Sequence, residues 1–91
     1  GLIPMEFVLN QNFPNPFNPE TTISYQLPES AIVTISVYDI SGRLVETIYS
    51  DTQAPGYYSV HWKPSSQSTG VYIARIEAGE YSQMIRMLFL K

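Results

Sequence analysis

Asn10-Gln11-Asn12-Phe13-Pro14-Asn15-Pro16-Phe17-Asn18-Pro19-Glu20-Thr21-Thr22-Ile23 is the stretch around which the chain is organised. Prolines at 14, 16 and 19 fix φ at about −65° and each removes a backbone donor. The residues before them, Phe13, Asn15 and Asn18, are pushed toward extended backbone. Neither a helix nor a central strand runs through such a segment. It should form a stiff arch that ends one strand, crosses an edge or end of a sheet, and delivers the chain to the next. The amides of Asn12, Asn15 and Asn18 are suited to bond nearby backbone, replacing partners the prolines cannot supply. Phe13 and Phe17 are expected to peg the arch to a core. A rigid strand connector is the plainer reading; a recognition surface is the other.

Alternation on both sides of the arch marks strands. Before it, residues 5–9 place Phe7 and Leu9 inward and Glu6 and Val8 outward. After it, residues 22–27 set Ile23, Tyr25 and Leu27 against Thr22, Ser24 and Gln26, until Pro28-Glu29-Ser30 breaks the run. Residues 32–39 are the clearest strand, with Val33, Ile35 and Val37 opposing Ile32, Thr34, Ser36 and Tyr38. Asp39-Ile40-Ser41-Gly42-Arg43 reads as a turn, Gly42 supplying positive φ and Asp39 accepting local amides. Residues 43–50 continue as a strand of unclear register. Leu44 and Ile48 oppose Val45 and Tyr49, while Leu44, Val45 and Ile48 also fit a helical spacing; the flanking turns favour the strand.

Ala54-Pro55-Gly56 turns the chain into a strand with Tyr58, Val60 and Trp62 inward and Tyr57, Ser59, His61 and Lys63 outward. A Ser-rich loop over 64–70 precedes a strand over 71–78 with Tyr72, Ala74 and Ile76 inward. Gly79-Glu80 then makes a tight hairpin into a last strand over 81–90. Seven short strands with turn signals between them predict an all-β, two-sheet antiparallel sandwich.

Ninety-one residues suffice for one domain, expected over 5–91, with Gly1-Leu2-Ile3-Pro4 as the end of a linker. The net charge of −3 argues against a nucleic-acid partner, which wants a basic face. The charges are uneven. Up to residue 50 the acids Glu6, Glu20, Glu29, Asp39 and Glu46 face a single Arg43, whereas only the bases Arg86 and Lys91 follow Glu80. That asymmetry hints that the tail meets something anionic. Without cysteine there is neither a disulfide framework nor thiolate chemistry. No run approaches a membrane span. The N-terminus does not read as a signal peptide, and the whole reads as a module of a longer protein.

Catalysis finds little support. His61 is the single histidine and is expected on a polar strand face, so a solvated side chain is the better reading than a base or metal ligand. Zinc needs several nitrogen or sulfur ligands. The acids lack the spacing of a calcium loop, and no glycine-rich phosphate cradle is present. No catalytic residue, cofactor, metal or small-molecule substrate is expected. Tyr49, Tyr57 and Tyr81 could offer a sugar-stacking platform, with Trp62 expected inward, which makes a carbohydrate-binding module the alternative to the reading below. A passive spacer in a secreted enzyme is a third.

The series Leu9-x-Gln11-Asn12-x-Pro14-Asn15-Pro16-Phe17-Asn18-Pro19 resembles the opening of the type A C-terminal sorting domains of the bacterial type IX secretion system. Thr22-Ile23-x-Tyr25-x-Leu27-Pro28, Val37-Tyr38-Asp39-x-x-Gly42-Arg43-x-Val45, Gly56 to Trp62 and Gly70-Val71-Tyr72 continue the likeness, as do a base near the end, Arg86, and Lys91. It covers residues 7–91. Flagellar hook-capping proteins carry a similar immunoglobulin-like domain. The resemblance implies an immunoglobulin-like sandwich that directs a larger cargo protein, lying upstream, across the outer membrane. It also implies partners: a translocon or shuttle component in the outer membrane and a C-terminal signal peptidase of the cysteine type. The cargo would pass through the periplasm and end secreted or attached to surface lipopolysaccharide. Two departures stand out, Arg86 where lysine is more usual and Lys63-Pro64 after the tryptophan.

The terminal strand is the best candidate for the sorting signal. Ile85, Met87 and Phe89 share one face and Met84, Leu88 and Leu90 the other, so residues 87–90 are apolar on both sides. An ordinary edge strand shows polar residues outward. Arg86, Met87, Leu88, Phe89, Leu90 and Lys91 are therefore the expected recognition residues, pairing with a partner by strand addition. Burial of the strand by its parent protein or by neighbouring molecules in a crystal is the plainer alternative. Asn12, Pro14, Asn15, Pro16, Phe17, Asn18 and Pro19 in the arch, and Tyr38, Asp39, Gly42 and Arg43 at the turn, form a second set whose role is structural or recognition.

Overall fold

A computed structural model describes residues 3–91; Gly1 and Leu2, half of the expected linker, lie outside the described residues. Seven strands follow one another: β1 (Val8–Leu9), β2 (Thr21–Leu27), β3 (Ala31–Asp39), β4 (Leu44–Gln53), β5 (Gly56–Trp62), β6 (Gly70–Ala78) and β7 (Tyr81–Phe89). They form two antiparallel sheets, β1-β2-β5 and β4-β3-β6-β7, stacked as an immunoglobulin-like sandwich. No helix occurs among the described residues.

The alternation in the sequence becomes the core. Ile23, Tyr25 and Leu27 of β2 meet Val33, Ile35 and Val37 of β3, and Tyr72, Ala74, Ile76 and Ala78 of β6 line the same interior with Trp62, Met87 and Phe89. Burial of so many apolar side chains is the main driving force for the fold. Tyr25 lies among them with its hydroxyl donating to Gln53 Oε1 at 2.6 Å. Burial pushes that phenol up to about 12, partly offset by the bond to Gln53, so it stays neutral and bonded. The Tyr72 hydroxyl donates to the Ser68 carbonyl at 2.7 Å, a tyrosine corner at the start of β6 that fixes the loop entering it.

The unclear register of residues 43–50 has a physical cause. Two irregularities interrupt the β3–β4 pairing, one between Ile35 and Ser36 and one between Val37 and Tyr38. Ile48 and Val45 are the residues left without partners, and both turn toward the core. Bulges three residues apart reproduce the spacing of a helical face, so period counting alone could not separate the two. β4 also runs on to Gln53, because Val33, Ile32 and Ala31 pair with Asp51, Thr52 and Gln53. At the other end of the chain β1 is shorter than the expected strand over 5–9. The Gln26 side chain, not a backbone amide, bonds the Glu6 carbonyl at 3.0 Å.

Candidate functional site: the arch and the terminal strand

β7 lies at an edge of the four-stranded sheet, opposite β6 from Ala78↔Tyr81 to Gly70↔Phe89. The two-residue turn at Gly79-Glu80, with Gly79 at φ 62°, sets the phase of this hairpin. Tyr81, Ile85, Met87 and Phe89 face the interior side, whereas Arg86, Leu88 and Met84 face out. On the free edge, even-numbered residues present their backbone groups outward.

The arch comes to this edge. Phe17 N–H donates to the Leu88 carbonyl at 2.9 Å, and Leu90 N–H donates to the Phe17 carbonyl at 3.0 Å. The Asn15 Oδ1 accepts from Leu88 N–H at 2.9 Å, and the Gln11 amide donates to the Arg86 carbonyl at 2.5 Å. Lys91 N–H is bonded to Thr69 Oγ1 at 2.8 Å. Strand addition along residues 86–90, as the sequence suggests, is therefore opposed by the domain's own structure. The arch already holds the Arg86 carbonyl, both backbone groups of Leu88 and the Leu90 N–H, and a receptor strand would have to displace it.

Phe17 is the peg expected of it. It is 1 % exposed, 5.2 Å from the Phe89 ring and 5.8 Å from Trp62. Phe13 is not a peg: it is 79 % exposed, because its backbone pairs with Thr22 and its side chain points away from the core. Inside the arch, buried Asn12 donates to Thr21 Oγ1 at 2.9 Å and to the Pro14 carbonyl at 3.2 Å, and Thr21 Oγ1 donates to the same carbonyl at 2.9 Å. This closes the loop on itself. Asn15 bonds the distant Leu88 rather than nearby backbone, and Asn18 makes no side-chain hydrogen bond among the described residues. Pro14, Pro16 and Pro19 are exposed, stiffening the arch from outside.

The second set stands apart from the arch. Asp39 Oδ1 accepts from Ser41 N–H at 3.0 Å, Ser41 Oγ at 2.6 Å and Arg43 N–H at 3.0 Å. Arg43 Nε lies 3.3 Å from Asp39 Oδ2, and Gly42 sits at φ 88°. The Ser41 hydroxyl and then the Arg43 amide hold the Asp39 carboxyl below its ordinary value of 3.8. The Asp39 carboxylate is thus spent on the turn. Tyr38 leaves it and lies on the outer face of the sheet beside Ile73.

The aromatic residues do not assemble a sugar platform. Tyr57 is exposed on β5, Tyr49 packs on the core from β4, and Tyr81 stacks on Phe7 at 4.7 Å. His61 Nδ1 lies 2.9 Å from Thr22 Oγ1 on an exposed strand face. Sequence reasoning identified the terminal strand but missed its union with the arch. Gln11 and Asn15, each a polar side chain reaching across to an edge strand, were the signal.

The chain is thus an all-β sandwich whose edge strand is covered by its own arch. The family model for the secretion system C-terminal sorting domain matches residues 11–90, and the chain belongs to this family. It is a sorting domain of the type IX secretion system, a secretion signal for a larger cargo protein and not an enzyme. No curated protein matches the chain, and no solved structure does.

Proposed function

We propose that residues 86–91 carry the sorting signal and are read in the folded state by an outer-membrane translocon or shuttle component. The observation that supports this is the outer face of β7, where Arg86 and Leu88 stand on a strand whose free edge the arch covers. Leu90 is 44 % exposed just beyond it. Exposed apolar groups flanked by a cation suit a protein receptor with complementary charge. The domain spans residues 5–91, with residues 1–4 ahead of it as a linker. After passage through the periplasm a C-terminal signal peptidase removes the domain and the cargo is released or attached at the cell surface. The arch residues and the Tyr38–Arg43 turn act structurally, presenting the tail.

The test is a reporter fused ahead of residues 1–91 in a bacterium that has this secretion system. Replacing only the outward-facing residues, Arg86→Gln/Leu88→Thr/Leu90→Ser, should abolish export while Trp62 fluorescence still reports a folded sandwich, because core-facing Met87 and Phe89 are kept. Normal export of that fusion would discard the proposal.

A further inference from the structure

The two outer faces of the sandwich differ. The three-stranded sheet presents Thr22, Ser24 and Gln26 from β2 beside Ser59 and His61 from β5, a mostly polar face on which Tyr57 is the large exposed aromatic. On the four-stranded sheet the register builds one cross-strand row from Leu44, Tyr38, Ile73 and Arg86. The next row brings Thr47, Ser36, Arg75 and Met84 together, and Val71 faces Leu88 on the other side. Residues directly opposite one another share a face. Met84 is 62 % exposed and Leu44 53 %. Tyr38, Gly42, Ile73, Arg75 and Met84 enclose a shallow depression there. Apolar side chains in adjacent rows form a contiguous patch, which on a sandwich marks an interaction site.

Charge says what covers it. Arg75 and Arg86 stand on this face against one acid, Glu77, which lies 3.8 Å from Arg75. Arg86 has no ion pair among the described residues. The face therefore carries a surplus of one positive charge in a chain whose net charge is −3, leaving four negative charges in excess elsewhere. We infer that this face docks a protein surface bearing apolar side chains bordered by Asp or Glu. An anionic lipid surface is disfavoured, since each base near a membrane contributes only about 1 kcal/mol and one uncompensated base on a flat sheet is too few. A second copy meeting this face with the same face would set like charges against each other.

The inference rests on the reading that the folded domain is recognised, and it extends the recognised surface from the tail to β3 and β6. The test uses the reporter fusion with Ile73→Thr/Arg75→Glu, which leaves residues 84–91 intact and keeps strand-forming chemistry at position 73. Export should fall about tenfold or more, as expected when an apolar contact and a charge pair are both lost at an interface. The melting temperature should stay near that of the parent. A Ser59→Glu control on the other sheet should export normally. If Ile73→Thr/Arg75→Glu is exported normally while Arg86→Gln/Leu88→Thr/Leu90→Ser is blocked, the tail alone is read and the face proposal falls. If both are exported normally, the sorting-tail reading falls first. Photo-crosslinking from benzoylphenylalanine at Met84 in intact cells should yield a protein adduct that Arg75→Glu abolishes and Arg75→Lys retains. An adduct to lipid, or to another copy of the fusion, would overturn the assignment.

Discussion

The arch over residues 10–23 and the turn over residues 39–43 are the two most distinctive segments of the sequence, and they are held in opposite ways. The turn is closed by its own atoms, with the acceptors on Asp39 and the donors on Ser41, Gly42 and Arg43. The arch is closed partly from within, at Asn12 and Thr21, but is seated by residues 75 and 73 positions along the chain. A local turn keeps its shape when the rest changes. The arch and the terminal strand instead stand or fall together, so the element that presents the tail also reports whether the sandwich has closed.

Phe17→Ala should break this comparison most severely. The side chain is buried between Phe89 and Trp62, and removing a core phenylalanine costs about 3–5 kcal/mol. Against a total of roughly 5–15 kcal/mol for a natural domain, that leaves little stability. Urea unfolding followed by Trp62 fluorescence should show the midpoint collapsing, with faster amide exchange at Leu88 and Leu90. A loss well under 1 kcal/mol would show that the edge is sealed without the arch.

Asn12→Ala comes next, at about 1–2 kcal/mol, because it removes buried hydrogen bonds inside the arch while Thr21 still serves the Pro14 carbonyl. The same unfolding measurement checks it. Asn15→Ala should cost only about 0.5–1 kcal/mol, since water can reach the exposed edge and take over from the lost acceptor. Its sharper signature is in hydrogen exchange: Leu88 should lose protection while Leu90, bonded to the Phe17 carbonyl, keeps it. Equal loss at both would mean that Asn15 positions the whole arch.

The same contrast explains what could be read in advance. Val33, Ile35 and Val37, or Tyr58, Val60 and Trp62, announce their faces by simple alternation, and the turn announces itself by Asp39 and Gly42. These signals are local. The arch announced only that no regular element passes through it, because prolines say where a ladder stops and not where the chain goes next. Phe13 and Phe17 are chemically identical, and only the pairing of Phe13 with Thr22 and of Phe17 with Leu88 and Leu90 decides which is the peg. The apolar outer face needed register as well. Tyr38, Ile73 and Arg86 are unremarkable singly and become neighbours only through two strand pairings.

Asp39→Asn should have the smallest effect, and its pH dependence distinguishes charge from shape. The folded carboxyl titrates below its ordinary value of 3.8, chiefly because the Ser41 hydroxyl and the Arg43 amide bond its charged form. A group depressed in this way stabilises the folded state above its unfolded pKa, and the benefit is lost as pH falls through the lower folded value. The melting temperature of the parent should therefore exceed that of Asp39→Asn at neutral pH. The gap should narrow once the pH drops below 3.8. Asparagine retains one oxygen able to accept the Ser41 and Arg43 amides, so the turn itself should persist. The exposed pair with Arg43 should add little, and raising the salt should scarcely change the gap. A gap that persists undiminished well below that pH would assign the role of Asp39 to geometry alone, making the turn as dependent on fit as the arch is.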